Sequence, residues 1–310
     1  MQTLSYYLKH PKVVGNIVLY YFCRWMPDKM YLKIKFRLWM GYPLDLKHPK
    51  TFAEKLQWLK LYDRKTIYHQ MVDKVVSKSL IHGIVGKGHT IPTLGVYDSF
   101  EQIDWEALPN QFILKATHDS GSYYIVKDKN TIDKKKCKKQ LYIHWNQDYY
   151  ISSREWQYKG LKSRIIAEPL IAEPKQLREY KFFCFNGEPL LYQTCYDRDN
   201  SLGGAILNFY DINGDLLDLH DKGHCRISDI KTPKPLNLEL MIEYSRLLSK
   251  DMCFLRVDFY EVDNQFFVGE LTLHENAGFC SFKPDQWNRT LGDWIKLPVD
   301  EDSLNEGEIK

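Results

Sequence analysis

The sequence of 310 residues contains no Cys-x-x-Cys pair, and its seven cysteines, Cys23, Cys137, Cys184, Cys195, Cys225, Cys253 and Cys280, are scattered and odd in number. That pattern suggests neither a disulfide framework nor a zinc site, and a reducing cytoplasm fits best. Net charge is small, +3 from 43 Lys and Arg against 40 Asp and Glu. Long apolar runs are missing as well. VVGNIVLYYFCRWM (13–26) is too short to span a bilayer and carries no small-residue cleavage site of a signal peptide. A G-x-S-x-G elbow is absent, which sets serine hydrolysis aside, and the ten histidines show no metal-ligand spacing. No internal repeat or low-complexity segment interrupts the chain.

What is present is a globular composition, 44% hydrophobic, enough for a substantial core and more than one layered unit. Charge is polarised along the chain: residues 1–60 hold eleven Lys and Arg against three acids, while residues 300–310 hold five acids against one Lys. The aminoterminal apolar run reads as a helix with two open roles, ordinary core or peripheral contact with an anionic membrane. Lys134, Lys135, Lys136, Lys138 and Lys139 read as a solvated helix face, because no aromatic interleaving or nucleic-acid motif accompanies them. No nucleic-acid partner is expected.

Residues 1–62 read as helical, with a capping box at Thr51 and Glu54, and a further helix is expected over about 66–81. Strands follow at 111–117 and 122–128 around His118–Asp119–Ser120–Gly121, then at 164–171. A hairpin at 179–185 and 188–196 turns on Asn186–Gly187, and a second, 205–220, turns at Asn213–Gly214. Helices are expected at about 237–250 and 284–296, and the acidic tail from Asp300 reads as disordered. The fold class is α+β, a helical front followed by mainly antiparallel strands.

Residues 254–279, FLRVDFYEVDNQFFVGELTLHENAGF, pose the sharpest question. With a three-residue turn, Asp263–Asn264–Gln265, Val262 pairs with Phe266 and Asp258 falls opposite Glu270. Opposed carboxylates about 5 Å apart at Cβ repel by roughly 3 kcal/mol at an effective dielectric of about 20. A shared proton or a shared divalent cation offsets that; a two-residue turn, Asp263–Asn264, would instead send the two acids to opposite faces. Lys115 closes a strand just before the small-residue loop His118–Gly121, an arrangement suited to phosphate and equally to a snorkelling lysine beside a common turn.

The order of these features along the chain resembles the ATP-grasp superfamily: Asp73–Lys74 opening a helix, Lys115 with its glycine loop, Glu168 ending a strand, Glu179–Lys181, then Asp258 and Glu270. More closely, LKHPKTFAEKLQWLKLYDR, VDK, IPTLGVYDSFEQIDWEALPNQFILKATHDSG, REWQYK, EYKFFCFNGEP, LRVDFYEV and FVGELT resemble the TupA-like ATP-grasp family over about residues 40–297. The resemblance implies an ATP-grasp-like fold. Residues 1–90 form a helical front, 91–170 a small subdomain, 171–299 a large subdomain with the metal site, and 300–310 the tail.

It also implies ATP and Mg²⁺. Lys74, Lys115, His118, Ser120 and Gly121 would hold phosphates, and Glu168, Pro169 and Leu170 would lie beside the adenine. Asp258, Glu270 and Thr272 would bind the metal, with Arg256, Lys181 and Arg198 near the transferred phosphoryl group or the substrate. Thr272 stands where Asn is common in the superfamily, and Lys78 where Arg is common, the latter expected to bear little on function. Arg256 has a structural alternative, an ion pair with one of the acids. The implied activity is ATP-dependent carboxylate–amine ligation through an acyl phosphate in cell-surface polysaccharide biosynthesis, its partners a glycan or sugar acid and an amine. The alternatives are a kinase acting on a glycan hydroxyl, a nucleotide-sugar glycosyltransferase using Asp197–Arg198–Asp199, and a nonenzymatic member. The expected location is the cytoplasm, with peripheral contact at the inner membrane face following from the second reading of the aminoterminal run.

Overall fold

The computed structural model describes residues 11–119, 121–146, 148–173, 177–196, 206–222 and 232–298. Three helices, α1 (Pro11–Phe22), α2 (Asp28–Met40) and α3 (Phe52–Tyr62), lead the chain, followed by α4 (Ile67–Val72) and α5 (Val76–Val85). The capping box forms as its sequence demands: Glu54 N–H donates to Thr51 Oγ1 at 3.3 Å and Thr51 N–H to Glu54 Oε2 at 2.9 Å. The single helix expected over 66–81 is broken in two. Asp73 Oδ1 accepts from the N–H groups of Val75 and Val76 at 2.9 and 3.1 Å, starting α5 afresh and leaving Lys74 at the break.

A four-stranded sheet of order β1-β4-β2-β3 is built from β1 (Gly95–Tyr97), β2 (Phe112–Ala116), β3 (Tyr123–Val126) and β4 (Ile165–Pro169). Strand alternation on β2 sends Phe112, Leu114 and Ala116 into a core closed by Cys137 and Leu141 of α6 (Lys134–Leu141). Ile113 and Lys115 take the other face.

A five-stranded sheet of order β10-β9-β5-β6-β7 comprises β5 (Arg178–Phe185), β6 (Glu188–Tyr196), β7 (Ile206–Asp211), β9 (Phe254–Val262) and β10 (Gln265–Thr272). One face, with Tyr180, Phe182, Val257, Phe259 and Leu271, packs on Met241, Ile242 and Leu248 of α8 (Leu238–Ser249). The other face changes character along its length. At one end Phe183, Phe185 and Phe254 meet Phe36 of α2, Phe52 of α3 and Leu291 of α9 (Gln286–Trp294). At the other end β5 and β9 carry Glu179, Lys181 and Asp258, with Glu270 beside them on β10. The apolar half anchors the sheet and the charged half faces a cavity.

Every strand ladder in both sheets is antiparallel. The Asn186–Gly187 turn forms with both residues left-handed, φ 52° and 86°. The hairpin expected at Asn213–Gly214 shrinks to one bridge, Tyr210 to Leu216, and the chain instead runs on to β8 (His220–Asp221), which pairs with β11 (Phe282–Lys283). A short helix, α7 (Tyr149–Ser153), lies between β3 and β4 in sequence. No disulfide joins cysteines of the described residues, and none of the described helices is long and apolar enough to cross a membrane. The acidic tail lies outside the described residues.

Candidate functional site

The β9–β10 hairpin places Glu270 directly opposite Asp258, by a route the turn alone does not give. The turn is two residues, Asp263 and Asn264 with φ 48° and 63°, so Gln265 rather than Phe266 pairs with Val262. Left regular, that register would set Gly269 against Asp258 and turn Glu270 to the core face. The ladder slips by one residue between Val268 and Glu270, and Gly269 is the extra residue. A Cβ on Gly269 would lie 2.4 Å from the Tyr260 ring, so the bulge closes tightly on its neighbour.

The two acids sit in different surroundings. Asp258, 1% exposed, accepts a bidentate pair from Arg256, Nε to Oδ1 at 2.6 Å and one terminal nitrogen to Oδ2 at 2.7 Å. Lys181, its register partner on β5, holds Nζ 3.9 Å from Oδ2. The other guanidinium arm of Arg256 reaches Glu275. Burial alone would lower the pKa of Arg256, but Asp258 and Glu275 raise it well above its usual value. The structural alternative for Arg256 is thus what this state contains, and Asp258 lies beneath Arg256 and Lys181. Glu270 is exposed to the cavity and takes no ion-pair partner among the described residues. Thr272 Oγ1, on the same face, is buried without a hydrogen-bond partner.

Across the cavity the four-stranded sheet supplies a second cluster. Lys115 Nζ lies 2.6 Å from Glu168 Oε2, and Lys78 pairs with the other carboxylate oxygen. Burial pushes the Glu168 carboxyl upward, yet the two lysines outweigh it and hold its pKa below the usual value. Lys78 therefore belongs to the site, although it was not among the residues expected to hold the nucleotide. It follows Lys74 by only four residues, and that short spacing was available in the sequence. Lys74 donates to the Asp119 carbonyl; burial lowers its pKa, and Glu270 is the charge that opposes this most. Asp73 fixes Lys74 in place, its Oδ2 accepting from Arg164 at 2.8 Å just before β4.

Gly121, Glu168, Pro169 and Leu170 line the cavity with these lysines. His118 does not; it is buried with its ring edge-on to Trp145 at 5.5 Å, and burial lowers its pKa. Ser120 and Arg198, with the Asp197–Asp199 triplet, lie outside the described residues. The carboxylate pair suits a hard, oxygen-seeking cation: Asp258 faces Glu270, and Thr272 Oγ1 is an unused oxygen beside them. Among the described residues no group of three or more His, Cys, Asp or Glu is placed to hold a metal ion.

The cavity, about 2100 Å³, continues past the acids to Lys12, Lys35, Trp39 and Phe279. Lys35 and Lys60 point their ammonium groups at the Phe279 ring, 5.1 and 4.9 Å from its centroid. Burial lowers Lys35 to about 8 and Lys60 to about 7. Lys60 donates to the carbonyls of Ser153 and Ala277, the latter in a loop where Asn276 and Ala277 both adopt left-handed backbone, φ 45° and 51°. An alanine held there carries strain of order 1 kcal/mol or more, which only surrounding contacts sustain. Sequence reasoning missed Lys35, Lys60 and Glu275, because their roles arise from contacts between distant segments.

A TupA-like ATPgrasp family model matches residues 54–296. A comparison with curated proteins gives no match. Among solved structures, the D-alanine–D-alanine ligase from Bacillus anthracis complexed with ATP is 18% identical, with TM-score 0.37 over 66% of this chain and 55% of that one. The ATP-grasp ligase PsnB complexed with minimal precursor is 10% identical, TM-score 0.41, over 78% and 67%. D-alanyl-alanine synthetase A from Vibrio cholerae O1 biovar eltor is 12% identical, TM-score 0.41, over 86% and 71%. The chain thus spans little more than half the length of the first of these.

Proposed function

The chain belongs to the TupA-like ATP-grasp family, with its α+β fold, and from that premise we propose that it is an enzyme, an ATP-dependent carboxylate–amine ligase. The observation that carries this reading is one cavity lined from two sheets. Lys74, Lys78 and Lys115 stand on one side; Arg256, Lys181, Glu270 and Thr272 stand on the other. At about 2100 Å³ it exceeds the roughly 300–1,000 Å³ of a single small-ligand pocket, leaving room for a second substrate beside a nucleotide.

The nucleotide's phosphates meet Lys74 and Lys115, with Glu168 holding Lys115 and Lys78 in place beforehand, and the base lies along Pro169 and Leu170. Asp258 and Glu270 with Thr272 Oγ1 would hold Mg²⁺, which would supply charge neutralisation on phosphate oxygens. In the present state Arg256 balances Asp258; released from it, the guanidinium can meet the phosphoryl group in transfer. Lys181 adds a second cation on the same face. The γ-phosphoryl passes to a carboxylate oxygen, giving an acyl phosphate and ADP. An amine nitrogen then attacks the acyl carbon; the C–N bond forms, the C–O bond to phosphate breaks, and inorganic phosphate and the amine's proton leave. Lys35 at the far end offers a cation for an acidic substrate, and Trp39 and Phe279 offer apolar faces suited to a sugar ring. Those features support a sugar-acid or amino-acid carboxylate of a surface glycan.

The test supplies ATP, Mg²⁺, a panel of uronic acids and amino acids, and hydroxylamine as a surrogate amine. Carboxylate-dependent ADP release with a hydroxamate detected by mass is the expected result. ADP release with a phosphorylated sugar hydroxyl and no hydroxamate would make the protein a kinase instead.

A further inference from the structure

The exposed face of α1 and α2 has no part in the cavity chemistry. Val14, Ile17, Val18, Tyr21, Phe22 and Trp25 recur at three- and four-residue steps, so they form one continuous stripe along α1 and just beyond its end. All six are exposed, Tyr21 at 64%, Phe22 at 70% and Trp25 at 79%. These are the residue types a soluble surface least accommodates in a row. Ordinary core, one of the two readings of this segment, is excluded for that face; the inward face, with Leu19, supplies the core contact.

The stripe extends onto the neighbouring helix. Gly15 lets α1 approach α2 closely, since a Cβ there would meet Leu38 at 2.3 Å. Met30 and Ile34, two turns and one turn before Leu38, are exposed as well. Beside them Lys29, Lys33 and Arg37 recur every four residues on α2, all exposed. Arg24 and Lys12 add two more exposed cations, whereas the one acid of residues 11–40, Asp28, is half-buried and paired with Arg64 at 2.7 Å. Apolar side chains bordered by charge of a single sign suit an anionic lipid surface, where the rings enter the headgroup region and the cations meet lipid phosphates.

We infer that the α1–α2 hairpin docks the protein peripherally on an anionic bilayer. The hairpin also carries Lys12, Lys35 and Trp39 to the far end of the cavity, so docking sets that end close to the membrane, where a lipid-borne acceptor is within reach. The surface stands on exposure and charge alone and does not depend on the ligase reading.

The experiment is flotation of the full chain with vesicles of phosphatidylglycerol mixed with phosphatidylcholine, against phosphatidylcholine alone, at low and high salt. Binding to the anionic vesicles at low salt, weakened by salt and absent from neutral vesicles, is expected. Lys29→Glu, Lys33→Glu and Arg37→Glu together should lower vesicle affinity by roughly a hundredfold or more, at about fivefold per cation. Phe22→Ser with Trp25→Ser should lower it independently, with the melting temperature unchanged in both variants because every position is exposed. Absence of wild-type binding at low salt would overturn the inference, as would wild-type binding by both variants. A solution dimer that Phe22→Ser with Trp25→Ser converts to monomer would assign the stripe to a second copy of the chain instead.

Discussion

Glu270 stands opposite Asp258 because Gly269 is bulged out of the ladder between them. The two carboxylates share a position but not a state: one is clamped under Arg256, the other is open to the cavity. Their variants should therefore differ. Glu270→Gln should leave stability without nucleotide within about 0.5 kcal/mol of wild type, as an exposed substitution away from any pair. Asp258→Asn removes the charge that Arg256 is buried against and should cost on the order of 3 kcal/mol. Urea midpoints without metal or nucleotide measure both, while turnover is expected to vanish in each.

Glu168 is the acid that organises the opposite wall. Glu168→Gln should destabilise the protein by about 3 kcal/mol, since two lysines lose their buried counter-charge, whereas Lys78→Arg should keep the pair and most of the stability. The pH dependence has a definite sign. The folded pKa of Glu168 lies below its ordinary value of 4.5, so its contribution is fully present above that value and is lost as pH falls through the folded pKa. Acid unfolding of Glu168→Gln should accordingly show a shallower limb below about pH 4.5.

Lys60 gives a slope of the same sign in a higher pH window. Burial lowers its folded pKa to about 7 from 10.5, so above pH 7 the unfolded chain binds a proton that the folded chain does not. Its contribution should make stability rise with pH from about 7 toward 10. Lys60→Met should remove that part of the slope, read as the difference between variant and wild-type urea midpoints at pH 6.5 and 8.5.

Much of this was legible locally. The Thr51–Glu54 capping box, the Asn186–Gly187 turn and the strands within 111–117 and 122–128 each depend on residues close in sequence, and each formed as written. The β9–β10 hairpin shows where local reading gives out. Of the two turns weighed, the two-residue one forms, yet the acids do not part to opposite faces as that turn implied; Gly269 restores the pairing, and a glycine inside a strand pattern is the ordinary sign of a bulge. Asp73 restarting a helix inside 66–81 was likewise visible as a capping residue. The clamp of Arg256 on Asp258 was foreseen as an alternative, since two residues apart on a strand share a face. By contrast, the burial of Lys60 against Ala277 and the joining of Lys78 to Glu168 span long stretches of chain, and no periodicity encodes them.

The most direct test is a thermal-shift measurement with nucleotides and metals, because a ligand bound by the native state alone raises the melting temperature. ATP with Mg²⁺ should stabilise the wild type more than ATP with chelator, and Glu270→Gln should lose that difference while still unfolding like the wild type without ligand. Stabilisation by uridine diphosphate sugars with Mn²⁺ but not by ATP with Mg²⁺ would contradict the nucleotide assignment.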